Sequence, residues 1–404
     1  MTRKMKDSGI EWIGMIPEGW NVGRVKHYYH IVLGKMLQPN SKSETDELLP
    51  YMCAVNITWK GVDIATTKSM WFSKEERKNY KLHKGDLLVT EGGDVAVSCI
   101  WNDEIDDCYI QNAVHRVRPK VHGCNRFLYY WMTVLKKYGY IDMVCNKATL
   151  AHFTKEKLEE CIYIAPSQSE QIRIADYLDA KCAEIDALIA AKEKSNALLK
   201  EYRQSIIFEA VTKGLDPNAP MKDSGIEWIG MIPEGWNVVR TKYVAEITNG
   251  TDPKTDGDIP VYGSGGGSFK TCGEFKQGPA VLLGRKGTVD IPQYITGDYW
   301  NVDTAFDVKT NQTFNLKYFY YLSKCFDYRY YISTTTLPSM TQTNYGNIVL
   351  PSPDINEQTR IADYLDAKCA EIDALIEANE KTIRQLKEYR QSVIFGAVTG
   401  KMEV

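Results

Sequence analysis

The feature that most constrains this fold is a stretch of seventeen residues that occurs twice. RIADYLDAKCAEIDALI runs from Arg173 to Ile189 and returns unchanged from Arg360 to Ile376. Each copy continues into a looser repeat that closes on AVT, at 210–212 and 397–399. A second stretch, MKDSGIEWIGMIPEGWNV, fills positions 5–22 and again 221–238, and we call it the start motif. The chain is therefore two tandem repeats, each with a start motif, a variable body and a long helix.

Between these repeated segments, Pro- and Gly-rich stretches mark the expected domain boundaries. We expect globular domains over 1–168 and 221–355, long helices over 169–213 and 356–404, and a linker, GLDPNAP, over 214–220. The variable bodies, 28–168 and 244–355, alternate short apolar strands with Gly turns. Each also contains one aromatic stretch with helical spacing, Asn125–Tyr140 and Phe314–Tyr328. We therefore predict an α+β fold in which both bodies share one α/β plan.

The long helices repeat apolar residues every seven positions, which is typical of a coiled coil. Position a is filled by Leu178, Ile185, Lys192 and Leu199, and in the second copy by Leu365, Ile372, Asn379 and Leu386. We place Leu188 and Leu375 at position d, with Cys182 and Ile189 as additional apolar residues at position e, and we expect the polar residues Lys192 and Asn379 to fix the register. About 40 helical residues span roughly 60 Å. We predict that the two helices run antiparallel and join the bodies about a pseudo-two-fold axis.

Composition excludes several classes of protein. The chain has 404 residues, 44% hydrophobic and 25% charged, as in soluble globular proteins. It contains no apolar run long enough for a transmembrane helix and does not begin like a signal peptide, so we expect it in the cytoplasm. The ten cysteines form no CxxC pair and no zinc spacing. The net charge of −3 gives no global sign of nucleic-acid binding, and the bodies carry only +1 (28–168) and −2 (244–355).

Catalytic motifs are also missing from the sequence. It has no phosphate-binding G-x-x-x-x-G-K-[ST], no G-x-S-x-G and no H-E-x-x-H. The one dense glycine cluster, 263–267, lacks the strand–helix setting of a dinucleotide site, so we interpret it as a tight turn. We therefore predict a protein that is not an enzyme, with no metal ion and no cofactor of its own.

Two motifs connect this layout to a known family. Pro166-Ser167-Gln168-Ser169-Glu170-Gln171 and the equivalent run 353–358 each lead into RIADYLD, and GIEWIGMIPEGW occurs twice. Residues 149–158 and 262–266 also look like the end and the start of recognition domains. Over essentially its whole length the chain resembles the specificity subunit of type I restriction–modification systems.

The resemblance implies a function in DNA recognition. In that family, two target recognition domains each read one half of a split sequence in double-stranded DNA, and the repeated helices set the spacer. The subunit binds two modification subunits, which methylate adenine with S-adenosylmethionine. With two restriction subunits, the complex translocates and cuts DNA using ATP and Mg²⁺. The specificity subunit itself catalyses no reaction.

Candidate DNA contacts lie mostly in turns and polar loops, where side chains can reach base edges or phosphates, and Arg116 alternates with Arg118 on one face of a predicted strand. They are Gly92, Lys78, Lys81, Arg116, Lys147 and Thr149 in the first body, and Tyr262, Ser264, Gly265, Arg285, Lys286, Thr336 and Gln342 in the second. For the lysines, a solvated helix face is the alternative. The turns at 90–93 and 284–287, which we call the reading turns, differ most between the bodies, so we expect two different half-sites.

Candidate partner contacts lie in the repeated segments. They are Trp12, Trp20, Trp228, Trp236, Tyr177 and Tyr364. For the tryptophans, core packing is the alternative interpretation.

Two other functions fit the same layout: a stand-alone DNA-binding regulator, and a coiled-coil scaffold. Co-purification with a methyltransferase would argue against the first. Failure to bind DNA in the presence of the methyltransferase would favour the second.

Overall fold

The computed structural model describes residues 3–145, 152–332 and 337–404. The chain forms two compact units, one made of 1–190 with 382–404 and the other of 191–381. The division falls inside both long helices, which run from Gln168 to Lys213 and from Ile355 to Val398. Each unit therefore combines one body with the first part of one long helix and the last part of the other.

The first unit is built around one sheet of four strands and one of three. The main sheet is antiparallel, with strand order Ser98–Ile100, Leu87–Thr90, Val114–Pro119 and Tyr29–Leu33. In the second sheet, Tyr109–Ile110 pairs parallel with Glu47–Met52, which pairs antiparallel with Lys68–Phe72. Short antiparallel pairs complete the strands: Met5–Asp7 with Met15–Pro17, Asn21–Arg24 with Ile162–Ala165, and Ile57–Thr58 with Gly61–Val62.

Short helices connect these strands. They are Val25–Tyr28, Lys74–Tyr80, Asn125–Lys137, Tyr140–Val144 and Lys155–Glu160, with a 3₁₀ turn at Ala54–Asn56. Asn125–Lys137, which we call the first aromatic helix, buries Phe127, Leu128 and Trp131 against the main sheet. This helix and the sheet form the core of the first unit.

The second unit repeats the plan. Its main antiparallel sheet has the order Ala245–Asn249, Ala305–Thr310, Ala280–Gly284 and Gln293–Ile295. In its second sheet, Ile259–Tyr262 pairs parallel with Asp298–Asn301 and antiparallel with Ser268–Cys272, and Lys276–Gln277 adds an edge. Met221–Asp223 pairs with Met231–Pro233, and Asn237–Arg240 with Val349–Ser352. The strand order of the main sheet is the same in both bodies.

Helices of the second unit occupy matching places. They are Thr241–Val244, Leu316–Ser323, which we call the second aromatic helix, and Gln342–Asn347, with a 3₁₀ turn at Tyr328–Tyr330. The second aromatic helix buries Tyr318, Phe319 and Leu322 against the main sheet. The prediction of one mixed helix-and-sheet plan used twice is confirmed.

Each start motif packs against the end of a long helix. In the first unit, Ile16 and Trp20 lie in the core beside Val393 and Val398. In the second unit, Ile232 and Trp236 lie beside Ile207 and Val211 in the same way. The AVT segments that close the repeat are therefore the surface on which the start motifs are buried.

Glycine ends both helices at this contact. Gly214 and Gly400 have φ of +77° and +70°, which glycine adopts without the strain of a side chain. A Cβ atom at Gly400 would lie 2.4 Å from Pro17 Cγ, and one at Gly214 would lie 3.2 Å from Trp236 Cζ2. Glycine therefore both turns the chain and lets the start motif approach the helix end.

Within each unit, the long-helix segments contact each other along a buried seam. In the first unit, Ile185, Ile189 and Ile383 form an apolar cluster with Leu386 at its edge. Arg390 Nε lies 3.0 Å from Asp186 Oδ1, and the later residue Ile189 packs in one cluster with the earlier residue Ile383, so residue numbers rise along one segment as they fall along the other. In the second unit, Arg203 pairs with Asp373 in the equivalent way. The segments that pair within each unit are thus antiparallel.

Polar residues interrupt the seam of the second unit where the sequence predicts a polar layer. Asn379 Oδ1 accepts a hydrogen bond from Lys192 Nζ at 3.0 Å. Asn379 Nδ2 donates to Asn196 Oδ1 at 2.9 Å and to Ser195 Oγ at 3.3 Å. The Asn379 side chain therefore links its own segment to three residues of the facing segment within the buried seam.

The predicted position d is wrong. Leu188 and Leu375 are 49% and 50% exposed, because the buried seam follows positions a and e, as in Ile185 and Ile189. Steps of four and three residues between a and e fit a seven-residue period as well as steps of three and four between a and d. The remaining position-a residues Leu178 and Leu365 are fully buried in the unit cores, and Leu199 and Leu386 are half-buried.

Among the helices in the described residues, none is both long enough and apolar enough to cross a membrane.

Candidate nucleic-acid interface

The reading turn of the second body follows strand Ala280–Gly284 of the main sheet. Arg285 N donates to Thr304 O at 2.8 Å, and Arg285 O accepts from Met340 N at 2.9 Å. Gly287 N donates to Pro338 O at 2.9 Å, and Lys286 forms a β-bridge with Ser339. The turn is therefore held between two neighbouring loops chiefly by its own backbone, with one side-chain hydrogen bond from Arg285 Nη1 to Asp303 O at 3.2 Å.

The glycine cluster lies beside this turn. Ser264 Oγ donates to Lys286 O at 2.6 Å, which ties the cluster to the turn. Gln293 is buried and spans the cluster, because its Nε2 donates to Gly263 O at 2.7 Å and its Oε1 accepts from Gly267 N at 3.0 Å. The structure therefore brings Ser264 and Lys286 together in one surface, which also contains the exposed Gly265.

The positive charge of this surface comes from two neighbouring side chains, Arg285 and Lys286. The side chains of Arg285 and Lys286 are 34% and 51% exposed. Asp303 Oδ2 lies 3.8 Å from Arg285 Nη1 and 3.9 Å from Lys286 Nζ. At such distances and exposures a surface ion pair contributes little. Arg285 is also held by a hydrogen bond from its Nη1 to Asp303 O at 3.2 Å, whereas the contact of Lys286 Nζ with Asp303 is long.

Two exposed apolar side chains flank the glycine cluster. Phe269 is 61% exposed and Ile291 is 48% exposed. A Cβ atom on Gly263 would lie 3.6 Å from Phe269 Cε1, and one on Gly266 would lie 3.7 Å from Ile291 Cγ2. The surface therefore offers apolar contact as well as positive charge and small residues. Tyr262, half-buried on the adjoining strand, packs against the apolar cluster of Ala280, Leu282, Ile295 and Tyr299.

The reading turn of the first body occupies the equivalent place, after strand Leu87–Thr90, but its chemistry differs. It presents Glu91 and Gly92, and Glu91 O accepts from Phe153 N at 2.7 Å. Burial raises the pKa of Glu91. Gly92 lies next to His152, since a Cβ atom on Gly92 would be 3.9 Å from His152 Nδ1. At equivalent positions of their main sheets, the first body thus has an acidic residue and the second body has a pair of basic residues.

The two lysines predicted as DNA contacts in the first body differ in their surroundings. Lys78 is exposed on helix Lys74–Tyr80, and Lys81 forms an ion pair with Asp107. Lys81 O accepts hydrogen bonds from Arg116 Nη1 at 2.8 Å and Arg118 Nη2 at 3.0 Å. Lys81 and Arg116 are therefore brought together, by a contact that fixes the strand to the preceding loop.

The prediction that Arg116 contacts DNA is not supported. Arg116 is 6% exposed, and burial lowers the pKa of its guanidinium to about 10. A strand residue that alternates with polar neighbours was expected to face solvent, but the second sheet of the body covers this face. The Arg116 side chain therefore points into the interior of the body.

The remaining predicted DNA contacts have mixed positions. Gln342 is exposed at the start of helix Gln342–Asn347, and its Nε2 donates to Ile247 O at 2.8 Å. This bond holds the amide against the main sheet. Lys147, Thr149 and Thr336 lie outside the described residues.

Trp20 and Trp236 are core residues, which corrects their prediction as partner contacts. They are 1% and 3% exposed, and each indole Nε1 donates to a glutamate at 3.0 Å, to Glu170 and Glu357 respectively. Glu170 and Glu357 belong to the motifs that precede the repeated helix. The motif pair Trp and Glu therefore fixes the start of each long helix to a start motif.

Trp12 and Trp228 are half-buried and also pack in aromatic clusters. Trp12 stacks on Trp131 and Tyr138, with ring centroids 6.2 and 5.5 Å apart. Trp228 meets Phe326 edge-on at 6.1 Å. The sequence alternative of core packing describes these two residues better than partner binding.

The repeated helix presents one polar and aromatic surface in each unit. In the first unit, the pKa of Lys181 is raised chiefly by its hydrogen bond to Glu184, with smaller effects of Tyr389 and Tyr177. In the second unit, the pKa of Lys368 is raised in the same way. The equivalent neighbours there are Glu371, Tyr364 and Tyr202. Tyr177 is half-buried, whereas Tyr364 is 38% exposed.

Sequence reasoning missed four residues of the interface in the second body: Gln293, Phe269, Ile291 and Asp303. Gln293 and Asp303 lie outside the glycine-rich segments, and no periodicity distinguishes them. Phe269 follows the cluster directly in the sequence Ser268-Phe269-Lys270, so an apolar residue beside a glycine turn was the one available signal.

Comparisons with known proteins agree on one family. The family model described as the type I restriction modification DNA specificity domain matches residues 17–199 and 233–388. The EcoBI specificity subunit of the type I restriction enzyme from Escherichia coli is 26% identical over 177 residues, covering 42% of this chain and 36% of that protein. The MjaVIII specificity subunit from Methanocaldococcus jannaschii is 23% identical over 238 residues, covering 58% and 51%. The matched region thus spans about half or less of these relatives.

Solved structures share the fold. A chain from a study of complex assembly and conformational transition of the type I R-M system superposes with a TM-score of 0.75 at 16% identity, covering 96% of this chain and 99% of that one. The HsdS subunit from Thermoanaerobacter tengcongensis gives 0.57 at 16% identity, covering 96% and 98%. Because the family model covers most of the chain, this protein belongs to the family of type I restriction–modification DNA specificity domains.

Proposed function

We propose that this chain reads a bipartite target in double-stranded DNA, one half with each body, and catalyses no reaction itself. The observation that carries the proposal is the equivalence of the two reading turns. Each turn follows the equivalent strand of the four-stranded sheet in its own body. The first turn presents Glu91 and Gly92, whereas the second presents Arg285 and Lys286. One frame with different side chains at one position is what two different half-sites require.

The second body supports DNA as the ligand through local chemistry. Arg285 and Lys286 are partly exposed, and their contacts with Asp303 are long ion pairs and one hydrogen bond from Arg285 Nη1 to Asp303 O at 3.2 Å, so we propose that both exchange Asp303 for phosphate or the acceptor edge of guanine. Ser264 and the glycine cluster beside them permit close approach of the backbone to the duplex. The apolar Phe269 and Ile291 suit contact with a thymine methyl group. Specific recognition can therefore arise without a basic domain.

The long helices would set the spacer between half-sites. The antiparallel contacts inside each unit, Asp186 with Arg390 and Arg203 with Asp373, support an antiparallel coiled coil of both helices. The polar layer of Lys192 and Asn379 would hold its register, because a buried polar pair penalises shifted alignments. A fixed register gives a fixed spacer.

Partner subunits would dock on the repeated helices. Exposed residues, and not only buried ones, are identical in both copies: Leu188 and Leu375 are each about half exposed, and the Tyr177 and Tyr364 surfaces match. Two identical surfaces suit two copies of one partner. We propose two modification subunits that carry S-adenosylmethionine, joined in the complete complex by two restriction subunits that use ATP and Mg²⁺.

An exchange of the second body tests the proposal. Residues 244–355 would be replaced by the body of another specificity subunit, and the methylated DNA sequence would be determined with the modification subunits present. We expect one half of the target to change and the other to persist. A change in both halves, or in neither, would contradict modular reading. Tight target binding by the chain alone, unaffected by modification subunits, would instead indicate a stand-alone regulator.

A further inference from the structure

One aspartate of the first long helix, Asp179, binds two side chains of the first aromatic helix. Tyr130 Oη donates to Asp179 Oδ1 at 2.7 Å, and Arg126 Nη1 donates to Asp179 Oδ2 at 2.6 Å. The two donors are four residues apart, which places them on one face of the aromatic helix. Arg126 also reaches Asp176, one turn earlier on the long helix, at 2.7 Å.

The second unit contains the same arrangement. Tyr321 Oη donates to Asp366 Oδ1 at 2.7 Å, and Lys317 Nζ donates to Asp366 Oδ2 at 2.5 Å. These donors are again four residues apart, and Asp366 is the repeat equivalent of Asp179. The aromatic helices belong to the variable bodies and differ in sequence, yet both present a cation and a phenol to one carboxylate. This coincidence is not required by the repeat.

Both tyrosine side chains are buried where they contact the aspartate. Tyr130 and Tyr321 are 3% and 4% exposed. Burial, followed by the neighbouring aspartate, raises the pKa of each phenol, so both remain donors near neutral pH. Lys317 is packed over the ring of Tyr294 at 4.7 Å. Burial by itself would lower the pKa of Lys317, but the hydrogen bond to Asp366 and the attraction of nearby negative charges together raise it. A carboxylate held by two donors fixes rotation as well as distance between the two helices.

The contact is connected to the reading turn through the core. The second aromatic helix buries Tyr318, Phe319 and Leu322 against Val281 and Leu283 of strand Ala280–Gly284. That strand ends at Arg285 and Lys286. In the first unit, the aromatic helix packs in the same way on strand Leu87–Thr90, which ends at Glu91. Because close-packed interiors transmit small shifts, the aspartate sets the direction in which the reading turn points from the long helix.

We propose that Asp179 and Asp366 are positioning residues that orient each reading turn on its long helix and thereby sharpen selectivity for the DNA spacer. The inference rests on the proposed function. It concerns neither a DNA contact nor a partner contact. A body that can rotate on its helix would accept spacers of neighbouring length, because its turn could reach a displaced half-site.

The test uses the full chain in complex with its modification subunits. Tyr321→Phe removes the phenol donor and keeps the ring, and Asp366→Asn leaves one of the two donors without an acceptor. Glu377→Gln, an exposed carboxylate on the same helix, is the matched control. Rates of adenine methylation would be measured on duplexes with the native spacer and with one base pair more or fewer. Thermal unfolding of each variant would be recorded in parallel.

For the wild type and Glu377→Gln we expect a strong preference for the native spacer. For Tyr321→Phe and Asp366→Asn we expect that preference to fall by about tenfold, equivalent to one lost charge-assisted hydrogen bond. A parallel loss of rate at all spacers, together with earlier unfolding, would reveal a purely structural role and overturn the inference, as would an unchanged preference. Absence of any target-dependent methylation by the wild type would overturn the proposed function itself.

Discussion

The polar layer of the second unit predicts a large effect of a single amide. Asn379→Ala removes the acceptor of Lys192 at 3.0 Å and the donor to Asn196 at 2.9 Å, and the weaker contact with Ser195 at 3.3 Å. A neutral bond contributes about 1 kcal/mol, and one to a charged group about 1.5 to 3 kcal/mol. Because Lys192 is half-buried and its ammonium can turn to water, we expect a net loss of about 2 kcal/mol in unfolding free energy.

The assay is urea unfolding followed by far-ultraviolet circular dichroism. Glu380→Ala, an exposed substitution at the neighbouring position, should leave the unfolding free energy within about 0.5 kcal/mol of the wild type. An Asn379→Ala loss no greater than this control would refute the hydrogen-bonded layer. A second variant with leucine at positions 192, 196 and 379 separates stability from register. It should be as stable as the wild type or more so, since buried polar groups are often replaced without loss. It should nevertheless accept a wider range of DNA spacers.

Recognition, spacing and pH dependence can each be tested in the same way. Arg285→Ala should weaken recognition of the second half-site alone by about 1 to 3 kcal/mol, measured by methylation of half-site variants; an equal loss at both half-sites would contradict it. One heptad inserted in both long helices, at 192–199 and at 379–386, adds about 10 Å and should lengthen the preferred spacer by about three base pairs. An unchanged spacer with full activity would argue against the helices as a ruler. His115 is buried and its pKa lies below the ordinary 6.5, chiefly because of burial, so the unfolded chain gains its proton first as pH falls. Stability should therefore decrease below about pH 6.5, by up to about 1.4 kcal/mol per pH unit, and His115→Gln should reduce that slope in urea unfolding; an unaltered slope would contradict the assignment.

Much of the architecture follows from the repeats. Identical start motifs and helices predict two bodies of one plan, and the shared strand order of the main sheets has that form. The glycine cluster at 263–267 and the pair Arg285 and Lys286 were both identified from sequence, and the structure joins them through Ser264. Local signals succeeded here because glycine turns after apolar strands have few alternative conformations.

Other features depend on contacts between distant segments. The sequence does not show that Trp20 is buried by the end of the second long helix as well as by its own body, nor that it is bonded to Glu170. The sequence does not show whether a tryptophan is exposed or buried, so partner binding and core packing could not be distinguished. Position a was placed correctly, but Leu188 was wrongly placed at position d, because Leu188 and Ile189 are both apolar and only the facing helix determines which of them is buried. Arg116 was misjudged because strand alternation does not reveal a second covering sheet.

The most direct measurement is a map of methylated adenines in the DNA of a host that expresses this chain with its modification subunits, read by long-read sequencing and compared with a host that expresses the modification subunits alone. We predict one methylated motif that depends on this chain, with two defined halves, an adenine methylated in each, and an undefined spacer of constant length. A continuous motif, a spacer of variable length, or the same methylation without this chain would contradict bipartite reading by two bodies.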